Sequence, residues 1–384
     1  MTTEVQLTLA NPEDFVTVPS GAPHYVPALK TKAGELRALR EASADTWRHM
    51  TPLIEILGPT HPGADPFTDT RVRGWVKRVA DSVQRRPIFL DIRRLAPNHA
   101  VAAGSGSQPV LGYMYGQARK RKMQIVPVAR LGDKPATLQQ IADAMACDGR
   151  GVALRIPILN SATADGRPLP TLVSELLDQL GATRAGTDLL FDCGYMSADL
   201  EVDAADVCEE LKDLSEEGRW RSIVLLGTAI PTSLGGGVVQ AGTVGRIPRR
   251  EWDLFQAVLD QQPVQPVTFG DYAIQHPEPP LEMEDGKVPH GIRAAIRYTH
   301  ETETIVPRAK APRDQEGKEQ YRALCKLLLV QREYCGPNYT WGDREIDRCA
   351  QDLGDAGWEE HWRGAGTSHH LRFVVDQLAN VRAA

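Results

Sequence analysis

At 384 residues, with 42% hydrophobic and 24% charged side chains, the chain has the composition of a globular protein able to bury a large core, which excludes disorder and low complexity. Its net charge of −6 gives no overall positive field, so nucleic acid is expected to be bound only locally, if at all. The start, MTTEVQLTLANPEDF, lacks a basic-then-apolar leader, and no later run reaches the roughly 20 apolar residues needed to span a bilayer, so a cytoplasmic protein without membrane contact is expected.

Short runs rich in Val, Ile and Leu recur along the chain, separated by stretches with apolar residues at helical spacing. The first, YVPALK (25 to 30), precedes a helix over GELRALREAS. TPLIEIL (51 to 57) is followed by DTRVRGWVKRVADSVQ, and PIFLDIRRL (87 to 95) by YMYGQARKRK. QIVPVARL (124 to 131) leads to TLQQIADAMAC, GVALRIPI (151 to 158) to LPTLVSELLDQLG, and TDLLFDCG (187 to 194) to AADVCEELKDLSEE. SIVLLGTA (222 to 229) precedes RREWDLFQAVLDQQ, and VTFGDYAIQ (267 to 275) closes the series. Eight strands alternating with helices predict a parallel sheet closed as a TIM-like (β/α)8 barrel over residues 1–275. A doubly wound open sheet is the competitor, but it would announce a nucleotide loop after the first strand, where only TKAGEL stands. From residue 276 to 384 the rhythm breaks into a small α+β extension, with a strand pair (IRAAIRYTH, ETIVPRAK) and helices at about 316 to 333, 343 to 353 and 369 to 382.

Buried parallel strands should be continuously apolar, so charges inside them require an explanation. Seven of the eight runs contain one: Lys30, Glu55, Asp91 with Arg93, Arg130, Arg155, Asp192 and Asp271. Catalytic groups of barrel enzymes come from the C-terminal strand ends, where these charges stand. Glu55, Asp91 and Asp192 are expected as catalytic carboxylates or as hard-oxygen ligands of Mg²⁺ or another divalent cation. Lys30, Arg93, Arg130 and Arg155, with Asp271, Tyr272 and His276, are expected to bind a small anionic substrate. The competing reading is an internal salt-bridge network that fills the top of the barrel without chemistry.

The glycine-rich segment TSLGGGVVQAGTVGRIPRREW places Arg246, Arg249 and Arg250 ahead of a helix, a pattern suited to phosphate at a helix N-terminus. Ser161 and Ser233 lie in no GxSxG elbow and Cys193 has no evident base, so a nucleophilic triad lacks support. The six cysteines show neither CxxC nor zinc-knuckle spacing and read as reduced and structural. Ser368 is a credible N-cap for a helix opening at His369 and His370, which read as capping and packing residues. Trp341, Trp358 and Trp362 suggest a small core in the extension or a surface for a protein partner.

The series YVPALKTKAGELRAL, TPLIEI, FLDIRRL, FGDYAIQHP, AAIRYT, CGPNYTWGDREI and WRGAGTSHHLRFVV, in this order, resembles the beta protein family, named after a bacteriophage protein. The resemblance covers almost the whole chain. It implies a place in phage biology or anti-phage defence, and it supplies no catalytic residues. The motif positions it singles out are Gly270, Asp271, Tyr272, Arg297, Tyr298, Gly342, Asp343, Trp362, His369 and His370. Two functions follow: a barrel enzyme, of the metal-assisted phosphoester hydrolase type, acting on a phosphate-bearing nucleotide or nucleic-acid end, or a non-catalytic sensor of a phage component or partner protein.

Overall fold

In the computed structural model, which describes residues 17–19, 21, 23–57, 68–92, 100–103, 106–158, 166–199, 202–278, 293–312 and 316–381, eight strands close a parallel barrel. They are β1 (Tyr25–Lys30), β2 (Leu53–Glu55), β3 (Pro87–Asp91), β6 (Gln124–Arg130), β7 (Val152–Pro157), β8 (Thr187–Tyr195), β9 (Ser222–Thr228) and β11 (Val267–Asp271). The TIM-like fold expected from the rhythm is the fold found. An added antiparallel hairpin, β4 (Ala100–Ala103) with β5 (Gly106–Pro109), interrupts the third unit.

Strand side chains alternate, so each strand faces the lumen with every second residue. Val26, Ala28, Leu53, Phe89, Val126, Val128, Ala153, Leu190, Val224 and Leu226 form a buried apolar filling of the lumen. Continuing the same parity by two residues reaches Lys30, Glu55, Asp91, Arg130, Arg155, Asp192 and Thr228. The charged positions are therefore the next layer of one packed interior, at the C-terminal end. The opposite parity (Leu29, Ile54, Leu90, Leu154, Leu189, Leu225) packs against the outer helices.

Those helices are α1 (Ala33–Glu41), the short α2 (Ala44–Arg48), α3 (Asp69–Val83), α4 (Val110–Lys120), α5 (Pro135–Asp148), α6 (Leu169–Leu180), α7 (Ala204–Ser215) and α8 (Arg250–Asp260). In α3 the Thr68 side chain caps the first turn by accepting from Arg71 N, and Val72, Val76, Val79 and Val83 form its buried stripe at three-to-four spacing. Helix α6 ends where Gly181 takes φ +62°, a left-handed turn that glycine adopts without steric cost.

The extension is less separate than its sequence suggests. Its sheet contains β12 (Arg293–Ala295), β13 (Tyr298–Thr299) and β14 (Glu303–Pro312), but β14 also pairs antiparallel with β10 (Val244–Pro248), which lies between β9 and α8 of the barrel. The glycine-rich segment thus lends a strand to the second unit. The helices α9 (Gln320–Leu329), α10 (Trp341–Ala350) and α11 (Glu359–Val381) complete it.

Helix α11 has 23 residues, about 35 Å at 1.5 Å per residue, where a helix opening near residue 369 was expected. Ser368 is consequently mid-helix and caps nothing. Trp362 and Ala365 belong to the extension core, whereas Leu371, Val374, Val375 and Leu378 pack in the barrel's outer core. One helix therefore belongs to both units and covers the barrel after β11, where the eighth outer helix is required. Glycines permit the approach: a Cβ on Gly34 of α1 would collide with Glu360 O, and one on Gly342 of α10 with Ala365 O.

Candidate anion site at the barrel mouth

The top layer of the lumen centres on Arg155. Its Nη1 donates to Glu55 Oε1 (2.7 Å) and Asp91 Oδ2 (2.6 Å), and its Nε donates to Asp192 Oδ2 (2.8 Å). Its Nη2 lies 2.7 Å from the same Asp192 oxygen and donates to the Tyr272 hydroxyl. Register explains the convergence, because Lys30, Glu55 and Asp91 are direct partners across β1, β2 and β3, and Arg130 partners Arg155 across β6 and β7. Lys30 Nζ lies 3.7 Å from Glu55 Oε2 and donates to His276 O at 2.9 Å, while Arg130 donates to Asp91. Tyr272 OH donates to Asp192 at 2.6 Å and closes the ring on the β11 side.

Among these six charges, three cations (Lys30, Arg130, Arg155) answer three carboxylates (Glu55, Asp91, Asp192). Burial alone would lower the Arg155 pKa, but Asp192, Tyr272, Asp91 and Glu55 hold it well above the ordinary arginine value. Burial likewise opposes ionisation of Asp192, yet Arg155, Tyr272 and the Gly194 N–H keep its carboxyl below the usual range. Pairing wins over desolvation on both sides. The space between the three acids expected as cation ligands is filled by a guanidinium, and no group of three His, Cys, Asp or Glu among the described residues is arranged to hold a metal ion. The ring has the form of the internal salt-bridge layer.

Asp271 departs from the expected substrate-binding set. It has the outward parity, one residue out of phase with Tyr272, and accepts from the Tyr25 hydroxyl and from Ala273 N (2.8 Å). Its Oδ2 lies 2.9 Å from His370 Nε2, whose Nδ1 meets Thr299 Oγ1 at 2.6 Å. Beside it, His369 Nδ1 lies 3.1 Å from Asp343 Oδ2 and its ring stacks at 3.7 Å on Tyr298, whose hydroxyl donates to Asp343 Oδ1 at 2.8 Å. These residues are buried and join barrel, extension sheet, α10 and α11 in one polar seam. The two histidines therefore pack, as expected, but cap nothing.

The arginines expected at a phosphate loop are also used elsewhere. Arg246 pairs with Glu303 (2.9 Å) and Glu333 (2.8 Å), and buried Arg249 holds His300 O, Glu301 O and Gln377 Oε1. Arg250 opens α8 and lies on a different groove, beside Asp253. Burial raises the Cys193 thiol well above its ordinary value, which agrees with no nucleophilic role. Trp341 and Trp362 are in the extension core, while Trp358 is 59% exposed. Arg93 and Ser161 lie outside the described residues.

Beside the ring, a cleft of about 410 Å³ opens between barrel and extension. Its wall takes Lys30 and Lys32 from the end of β1, Thr232 to Gly235 after β9, and Gln275 and His276 after β11. The extension adds Arg293, Arg297, Arg308, Glu359 and Arg363. Of the expected anion-binding residues, Lys30 and His276 line it. The sequence reading missed Lys32, Arg308 and Arg363 and named Arg297 only as a motif position. Arg297 is half-buried, and its Nε is buried without a hydrogen-bond partner. Burial and Arg363 push its guanidinium down to about 10, partly offset by Glu359. Burial also lowers the Lys32 ammonium, again with Arg363 adding to the effect.

A family model described as Beta protein matches residues 25–376. The chain belongs to the Beta protein family. No curated protein matches it significantly. Among solved structures it is similar to the carboxyl transferase domain of Rhizobium etli pyruvate carboxylase, at 15% identity and a TM-score of 0.37, over 68% of this chain and 42% of that one. It is also similar to triosephosphate isomerase from Bartonella henselae, at 10% identity and a TM-score of 0.34, over 66% of this chain and 93% of that one. Within this member of the Beta protein family eight of the ten motif positions divide three ways. Tyr272 belongs to the ring; Asp271, Tyr298, Asp343, His369 and His370 build the seam; and Arg297 and Trp362 line the cleft.

Proposed function

We propose that this chain recognises a small phosphate-bearing ligand in the basic cleft, as a binding or sensing component without turnover. The observation that carries this reading is Arg297, a desolvated arginine lining the cleft whose Nε is buried without a hydrogen-bond partner and whose charge Glu359 offsets only in part. A desolvated charge that is only partly answered is costly, and an arriving anion lowers that cost. The ring supports binding over catalysis, because its carboxylates are already committed to Arg155. The family's bacteriophage name motivates placing this recognition in phage biology or anti-phage defence.

Thermal-shift measurement with inorganic phosphate and nucleotides tests the reading. A ligand at a hundred times its Kd stabilises the native state by about 2.7 kcal/mol. Stabilisation by a phosphate-bearing compound, reduced at least tenfold in affinity by Arg297→Ala, is expected; a null screen counts against it. One observation favours an enzyme acting on the same ligand: His276, a residue type suited to proton transfer, lines the cleft, and burial lowers its imidazole below the ordinary value. Turnover of a bound phosphoester that disappears in His276→Ala would establish that second reading.

A further inference from the structure

Resting on the anion-binding reading above, we infer that the cleft is selective for a terminal phosphomonoester, a doubly charged group, over the singly charged phosphodiester of a nucleic-acid backbone. The inference comes from counting charges. Arg363 donates to Glu359 at 2.9 Å, and Lys30 is answered by Glu55. Arg293 and Glu278 also line the cleft and have contacts of their own. Lys32, Arg297 and Arg308 remain; Glu35 and Glu359 offset part of the charge on Lys32, and Glu359 part of that on Arg297, while Arg308 is bound to backbone carbonyls.

The three are held close to like charge. Arg363 bears on both Lys32 and Arg297 more strongly than Glu359 does, and Arg293 bears on Arg308. Cations crowded in a half-buried site repel one another unless an anion enters. A diester contributes one negative charge and leaves part of this excess unanswered. A phosphomonoester brings about −1.5 to −2 and three acceptor oxygens, which suits donors arriving from separate directions. Lys32 comes from the N-cap of α1, Arg297 from the β12–β13 turn, and Arg308 from β14.

The site is also built in advance. Arg308 Nη1 donates to Leu234 O at 2.7 Å and to Val239 O, which ties the β9–β10 segment against the cleft, and Ser233 Oγ accepts from Gly235 N at 3.1 Å. The volume of about 410 Å³ accommodates a phosphorylated small molecule or one terminal nucleotide.

Calorimetric titration of the full chain with phenyl phosphate, methyl phenyl phosphate and phthalate tests the assignment. Phenyl phosphate should bind at least tenfold tighter than the other two, and its affinity should rise through the second ionisation near pH 6 and then level off. Lys32→Met and Arg297→Ala should each remove most of that preference, while Arg297→Lys should retain part of it. Equal affinity for monoester and diester overturns the inference and leaves anion binding standing. Phthalate matching phenyl phosphate overturns the phosphate assignment. Absence of binding by all three overturns the anion-binding reading itself.

Discussion

Arg155 and Arg297 are both desolvated arginines at the mouth of one barrel, and their surroundings are opposite. Arg155 meets Glu55, Asp91, Asp192 and the Tyr272 hydroxyl, all within a rigid register of adjacent strands. Arg297 sits on a turn of the extension sheet, close to another arginine, and its Nε finds no partner. The first completes an interior, whereas the second, on the proposed function, is completed by a ligand. The contrast teaches that a desolvated charge whose counter-charges are built into the fold, as at Arg155, reads as structure and not as a site.

The largest expected effect is at the ring. Arg155→Met leaves three carboxylates buried against an apolar side chain, and loss of one partner of a buried ion pair costs about 3–5 kcal/mol. Urea unfolding should show that loss, and a change below about 1 kcal/mol would mean the ring is not the closed network described.

Acid should weaken the interior next. Burial holds His370 below its ordinary 6.5 despite Asp271, and burial with His49 lowers His24 to about 4. The unfolded chain therefore binds protons that the folded chain refuses, so stability is full above about pH 6.5 and falls as pH drops toward 4. Each such group contributes about 1.4 kcal/mol per pH unit within its window. Unfolding free energy measured from pH 7 to 5 should decline, and His24→Gln should flatten the slope.

Arg297→Ala should behave unlike Arg155→Met, with stability within about 1 kcal/mol of the parent because no internal partner is lost. Its effect belongs in ligand affinity, at least tenfold by titration. A stability loss as large as that of Arg155→Met would assign Arg297 to the core and erase the comparison. The smallest effect is the exposed α3 pair, Lys77 with Asp81 at 2.6 Å, where Lys77→Ala should cost no more than about 0.5 kcal/mol in the same unfolding measurement.

The barrel and its charged layer were legible in the sequence because periodicity is a local property. Eight apolar runs alternating with helical stripes predict a parallel sheet, which the structure closes, and period-two alternation makes Lys30, Glu55, Asp91, Arg130, Arg155 and Asp192 one layer. The same parity assigns Tyr272 to the lumen and excludes Asp271, a signal present in VTFGDYAIQ that reading the nearest charge overlooks. The cleft was not legible. Lys32, Arg297, Arg308 and Arg363 come from four segments spanning more than 300 residues of chain. Only the packing of α11 across both units, with β14 paired to β10, brings them together. Sequence alone determined which residues share a strand face, because that depends on backbone geometry. Which charges cancel and which stay only partly answered was decided by tertiary structure, because Coulomb energy depends on distances between segments remote in the chain.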